Sequence, residues 1–185
     1  MRMIRITTAL VALLAVAPSP ALAADNQLTE GEKNQGWILL FDGQSLDGWF
    51  CNNGEKPKSE IEENALTPVG SGGYILMHEQ QFGDFIFKCD MKAVTDRLNS
   101  GIFIRTGEPK NPVQTGLEVQ VSSSRGTGSH NYGAIYDAAK PIMPAPESDG
   151  EWDHIEITAI GPHVIVAING ETILHMNCDK YTEQG

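Results

Sequence analysis

The chain has 185 residues, with 24 acidic against 13 basic residues and a formal net charge of −11. This length suffices for one domain with its own core, and a hydrophobic content of 41% excludes a chain that is disordered by composition. The acidic balance argues against nucleic acid and anionic lipid as partners, because phosphate groups bind Lys and Arg. It is compatible with a small neutral partner such as a sugar.

The first 23 residues have the features of a secretory signal. Arg2 and Arg5 form a positive start, residues 6–16 are an apolar run, and residues 21–23 are a small-x-small cleavage site. The apolar run is shorter than the roughly 20 residues that a membrane span needs, which makes a membrane anchor the weaker alternative. We therefore expect an exported protein, periplasmic or extracellular, without membrane insertion. Loss of the two arginines would take the net charge from −11 to −13.

Short strands joined by turns are predicted after a polar segment at residues 24–35, which shows no period. The apolar or alternating runs are residues 37–41, 74–77, 84–93, 101–106, 116–121, 134–136, 152–160, 163–168 and 171–176. Gly161–Pro162 is a turn pair, and Asn169–Gly170 is the strongest short hairpin signal. Because no window has a sustained 3.6-residue period, this spacing predicts an all-β, antiparallel jelly-roll sandwich.

Polar side chains opposite an aliphatic face characterise three of these strands. The side chains on these faces are Phe103, Arg105, Glu118, Gln120, Trp152, His154 and Glu156. If the three strands are neighbours, these faces form one surface carrying the groups that bind sugar hydroxyls and ring faces. The alternative is an ordinary solvated sheet face. Arg105 opposite Glu118 would then be a cross-strand ion pair worth roughly 0.2–1 kcal/mol.

Two loops complete the list of candidates. His130 lies in GSHNYG (128–133), and loops at the rim of a sheet carry function. The loop SSSRGTGS (122–129) has backbone N–H groups that could cradle a phosphate. Since neither a helix-forming segment nor a P-loop Lys follows it, a plain surface loop is the favoured interpretation.

Metal and thiol chemistry are weakly indicated. The sequence has no HExxH, no HxH and no Asp-rich calcium loop, and we expect no cofactor. Asp137 and Glu151 are candidates for a structural divalent cation at most. Cys51, Cys89 and Cys178 lack metal spacing, so an exported chain could form one disulfide and leave one thiol free.

A family resemblance is carried by residues 36–49, GWILLFDGQSLDGW. This stretch closely resembles the opening signature of the 3-keto-disaccharide hydrolase domain family. Later segments agree with the family in the same order, at residues 83–93, 99–106, 115–121, 132–137 and 151–171. The resemblance therefore predicts a 3-keto-disaccharide hydrolase-like domain over residues 36–185.

The resemblance implies a concanavalin A-like jelly roll and an exported enzyme that cleaves 3-keto-glycosides. The implied route is proton abstraction at C2, elimination and hydration. From face and motif position, we expect Glu118 to act as base or acid, Arg105 to hold the enolate, and His130 or His154 to carry the second proton. The expected substrate-binding residues are Phe103, Gln120, Tyr136, Trp152 and Glu156. The alternatives are a non-catalytic glycan-binding module and a cell-surface interaction domain.

The sequence also departs from the family pattern. Relatives carry an Asp near Ser123 and an Asn at the position of Asp153. They also close with a further strand of pattern G-x-I-x-L-Q-x-H-G, which is not found here. We therefore expect a jelly roll that lacks its last strand. We also expect the sequence to be a fragment.

Overall fold

The computed structural model describes residues 25–67, 75–93, 95–148 and 150–179. The predicted signal segment, the first residue of the predicted strand at 74–77 and the last six residues lie outside them. The helices are α1, Glu30–Asn34, and α2, Pro112–Thr115. The strands are β1, Trp49–Cys51; β2, Glu60–Glu62; β3, Ala65–Thr67; β4, Leu76–His78; β5, Phe85–Met91; β6, Asn99–Ile104; β7, Leu117–Ser122; β8, Asp153–Ile160; β9, His163–Ile168; and β10, Glu171–Asn177.

Chain packing divides the described residues into two compact units. The first unit comprises the residues up to Ser45 together with Glu60–Thr67, and it holds α1 and the antiparallel β2–β3 pair. Helix α1 begins with a capping box, in which Thr29 and Glu32 bond each other's backbone N–H groups. Residues 24–35 show no apolar period, but their T-x-x-E pattern is the local signal for this helix.

The second unit comprises Leu46–Ser59 and the described residues after position 67. It contains a four-stranded sheet in the order β10-β9-β8-β5, a β6–β7 pair and a β1–β4 pair, all antiparallel. The predicted Asn169–Gly170 hairpin joins β9 to β10, and both residues have the positive φ (52° and 81°) that such a turn needs. The all-β sandwich predicted from the sequence is confirmed in this part of the chain.

One hydrophobic core joins the four-stranded sheet to the β6–β7 pair. It receives alternate residues of β8 and β9, including Ile155, Ile157 and Val166, and it receives Val119 and Val121 from β7. All five side chains are buried. Since fully burying one such side chain is worth about 1.5–3 kcal/mol, this core holds the two layers together.

The layered arrangement corrects one expectation from the sequence. The strands β6 and β7 pair with each other, whereas β8 lies between β5 and β9 in the other layer. Because the aliphatic sides of both layers face the shared core, their polar sides point away from it in opposite directions. The predicted single polar surface across the three strands is therefore wrong.

The three cysteines are all free thiols, so the expected disulfide is not present. Cys51 and Cys178 are buried, and Cys89 on β5 is half-buried. Burial, with a smaller contribution from the neighbouring Asp90 charge, raises the pKa of Cys89 to about 12. Among the described residues, no helix has the length and apolar character needed to cross a membrane.

Candidate functional site

The centre of the candidate site is Glu118, on the side of β7 that faces away from the core. It lies directly opposite Phe103 of β6, so the register that placed Arg105 opposite Glu118 is wrong. Its side chain folds across the backbone of Gly101, where a Cβ would overlap its Cγ and Oε1 atoms and lie 2.7 Å from Cδ. Burial raises the pKa of the Glu118 carboxyl, and desolvation is the physical cause.

A pocket of about 170 Å³ opens beside Glu118. Its lining residues come from α2, from β7 and from the segment that runs along the other edge of β7. They are Val113, Gly116, Leu117, Glu118, Tyr136, Asp137 and Ala138. The segment is fixed by backbone bonds, in which Tyr136 N donates to Glu118 O and Gln120 N donates to Ala134 O. Two carboxylates and an aromatic ring therefore share one concavity.

His130 is brought to this pocket by two contacts. Its Nε2 atom is 2.5 Å from Oδ1 of Asp137. Its ring stacks on Tyr136 with centroids 4.4 Å apart and an interplanar angle of 11°. Asp137 adopts a left-handed φ of 54°, and the chain turns there. The imidazole is thus held by one pocket residue and oriented by another.

Gln120 lies two residues along the same side of β7, but it is buried, at 2% exposure. Its Nε2 atom donates to Oδ1 of Asn99 at 2.8 Å, and its Oε1 atom has no partner among the described residues. A side chain covered in this way is not placed to bind sugar hydroxyls directly. Gln120 is instead part of the packed structure next to Glu118 on β7.

Arg105 does not lie beside Glu118. Its φ of 52° breaks the strand alternation immediately after β6 ends. The guanidinium turns toward Asp84, at 3.7 Å, and the Cys178 thiol, at 3.6 Å, and no ion pair joins it to Glu118 in the described part of the chain. The cross-strand ion pair considered for Arg105 and Glu118 is therefore not formed, and the role of Arg105 in holding the enolate stays a prediction.

His154 and Glu156 occupy the outward side of the other layer. His154 Nδ1 lies 2.8 Å from Oδ1 of Asp90, and Glu156 forms a 3.1 Å ion pair with Lys88, both across the β5–β8 pairing. Trp152, half-exposed, immediately precedes β8. These three residues are not brought together with Glu118, because β8 is not a neighbour of β7.

The loop at residues 122–129 has a structural role that the sequence analysis missed. Arg125 lies inside it, with its side chain only 11% exposed, and its Nη2 atom is 2.6 Å from Oδ2 of buried Asp153. Arg125 also donates to the backbone oxygen of Pro146 and to the Ser148 hydroxyl, and Asn169 donates to Oδ1 of Asp153. In the sequence, the signal for this role was a single Arg within a Gly/Ser loop.

Potential metal ligands are scattered over the described part of the chain. In the described ranges, no group of three or more His, Cys, Asp or Glu side chains could hold a metal ion. Of the two residues considered for a structural cation, Asp137 instead binds His130, and Glu151 is exposed.

Comparison with known families assigns the domain. The model of the 3-keto-alpha-glucoside-1,2-lyase-like domain matches residues 36–185. The chain belongs to this family. The family resemblance expected from residues 36–49 and the later segments is thereby confirmed.

Solved structures related to this family member come from Parabacteroides distasonis. One predicted glycosyl hydrolase is 25% identical, with a TM-score of 0.74, and the match covers 83% of this chain and 77% of that chain. A second is 24% identical with a TM-score of 0.62, and the match covers 76% of this chain but 65% of that chain. The second likeness concerns the fold alone. No curated protein matches this family member.

Proposed function

We propose that this protein cleaves 3-keto-glycosides by elimination across C1 and C2 followed by hydration. The observation that carries the proposal is a half-buried Glu118 carboxyl with a raised pKa, in a pocket shared with the Asp137 that holds His130. Membership of the family and the likeness to predicted glycosyl hydrolases support the substrate class. We further propose export to the periplasm or beyond, and a small carbohydrate as the partner.

The proposed reaction needs two proton carriers and no oxidant. The ketone at C3 acidifies the hydrogen on C2, and a base removes it. The C2–H electron pair becomes a C1=C2 double bond as the C1–O bond breaks, and an acid protonates the leaving oxygen. The product is a 2-hydroxy-3-keto-glucal. Addition of water then returns a proton to C2 and places a hydroxyl on C1, so the net result is hydrolysis.

The pocket lining supplies one carrier, and a histidine bonded to that lining supplies the other. Glu118 suits proton transfer because desolvation moves the pKa of its carboxyl upward from the ordinary value, toward working pH. His130 is the second carrier, and the Asp137 carboxylate orients its imidazole. The exposed ring of Tyr136 lines the pocket and can pack against the C–H face of a sugar.

The test is turnover of a 3-keto-glucoside by the full chain, followed by the absorbance of the unsaturated ketone and by release of the free sugar. We expect Glu118→Gln to lower kcat by about 100-fold or more, because one proton-transfer step loses its carrier. Glu171→Gln is the matched control, since Glu171 is an exposed residue that begins β10. This control should retain wild-type turnover.

The alternative is a module that binds glycans without cleaving them. Under it, the wild-type protein would bind a 3-keto-glucoside without turnover, and Glu118→Gln would weaken binding only modestly. That combination would overturn the proposed enzyme activity. The corresponding glucoside without the ketone should stay intact in every case, because its C2 hydrogen is not acidified.

A further inference from the structure

Gly101 lies in the middle of β6, where glycine is locally unfavourable. Glycine in a strand weakens it, by roughly 0.5–1 kcal/mol relative to Ala, through the extra freedom of the unfolded chain. Its φ is not in the left-handed region, so the backbone does not require glycine here. The reason for a glycine at this position must therefore lie in the space that a side chain would fill.

That space is occupied by the Glu118 carboxyl. A Cβ built on Gly101 would overlap Oε1 and Cγ of Glu118 and come within 2.7 Å of Cδ. The three nearest atoms all belong to that one side chain. Contacts under 3.0 Å are essentially never made by real Cβ atoms, so any other residue at position 101 would force the carboxyl to move.

The residue opposite Gly101 on β7 also has a fixed side chain. This cross-strand partner is Gln120, which is buried and bonded to Asn99. The Glu118 side chain therefore lies against the backbone of Gly101, and the residue paired with Gly101 has a fixed side chain. Glu118 and Asp137 both line the pocket, and Asp137 in turn binds His130.

We propose that Gly101 is a positioning residue, whose lack of a side chain forms the seat in which the Glu118 carboxyl is held at the pocket. This inference rests on the proposed function for its catalytic meaning. The seat itself is a steric relation between two side-chain positions. It can therefore be tested without any substrate.

The first experiment is a double-mutant cycle in thermal stability. We compare wild type, Gly101→Ala, Glu118→Ala and the double variant, because Glu118→Ala removes the three atoms nearest to the new Cβ. We expect Gly101→Ala to lower Tm in the wild-type background and to leave Tm unchanged or raised in the Glu118→Ala background. An equal loss of Tm in both backgrounds, or failure of both Gly101→Ala proteins to fold, would overturn the proposal.

The second experiment measures turnover of the 3-keto-glucoside. A displacement of about 1 Å in a catalytic group can cost on the order of 100-fold, so we expect a loss of that order in kcat for Gly101→Ala. The same substitution in Glu118→Gln should cause no further loss. The pH profile of Gly101→Ala should also shift toward lower pH, because a displaced carboxyl is better solvated.

Gly83→Ala is the matched control, since Gly83 has open space around its Cβ position. It should keep both Tm and turnover. Wild-type kcat in Gly101→Ala would overturn the positioning role. If the two substitutions show no coupling in Tm, the steric seat is wrong and the proposed function is unaffected. If Glu118→Gln keeps full activity, the proposed function is wrong and the steric seat remains.

Discussion

Glu118 is a carboxyl whose surroundings favour the neutral form. The side chain lies over Gly101, and the expected cation, Arg105, points elsewhere. Desolvation is therefore not offset by an ion pair, and it raises the pKa of the carboxyl. A group of this kind carries a proton at a higher pH than an exposed glutamic acid does.

The raised pKa makes the stability of the protein depend on pH. Between the ordinary value of 4.5 and the raised value, the folded state binds more protons at Glu118 than the unfolded state does. The contribution of Glu118 to the free energy of unfolding is therefore highest below pH 4.5 and falls as pH rises through this window. We expect the unfolding free energy of wild type, relative to Glu118→Gln, to fall over the same window in urea titrations. An identical pH dependence in both proteins would contradict this.

At the scale of elements, the start of β8 is fastened to the loop that follows β7. The fastening is the buried ion pair of Arg125 with Asp153, which is completed by Asn169 from the β9–β10 turn. A buried pair of this kind contributes little net free energy while intact, but removing one partner leaves a buried charge without compensation.

Asp153→Ala should therefore lower the free energy of unfolding by about 3–5 kcal/mol, measured by urea denaturation. Asp90→Ala is the matched control, because Asp90 also bonds a side chain of another element, His154, but does so at the surface. Its loss should be no more than about 1 kcal/mol. Equal losses from the two variants would show that burial of the Arg125 pair is not what matters.

The sequence predicted elements best where local chemistry decides them. Alternation located β5 to β10, and Asn169–Gly170 gave the hairpin, because both signals depend on neighbouring residues alone. It failed at Arg105, where one left-handed residue cancels the alternation. It also left α1 unassigned, since a helix of five residues is too short to show a period.

The candidate site was predictable only in part. Glu118 and Tyr136 do line one pocket and His130 contacts its lining, but Asp137 and Gly101 were not recognised as their partners. Their roles arise from which strand lies beside β7 and from where the chain turns back. Neither can be inferred from the period of a strand.

At the scale of the molecule, the two layers of the second unit share one core, and their outward sides are independent surfaces. Strand order decided which polar residues came together. Alternation gives the face of each residue but does not say which strands are neighbours. His154 and Glu156 were for this reason assigned to the wrong side of the sandwich relative to Glu118.

The layer assignment predicts unequal losses of stability for substitutions at two adjacent residues of β8. Ile157 is fully buried between the layers, so Ile157→Ala should lower the free energy of unfolding by about 2–5 kcal/mol. Thr158 faces outward, and Thr158→Ala should cost less than about 1 kcal/mol. Chemical denaturation of both variants measures the difference. A larger loss from Thr158→Ala would place the core on the other side of β8.

The left-handed turn at Arg105 has a consequence for how acidity is controlled in this protein. A residue with ordinary strand torsions would have extended a positive charge along the same side of β6 as Phe103, within reach of its cross-strand neighbour Glu118. The left-handed backbone at Arg105 instead sends that charge to the end of the other sheet, beside Asp84. The desolvation that raises the pKa of Glu118 is thus left without a counter-charge from Arg105.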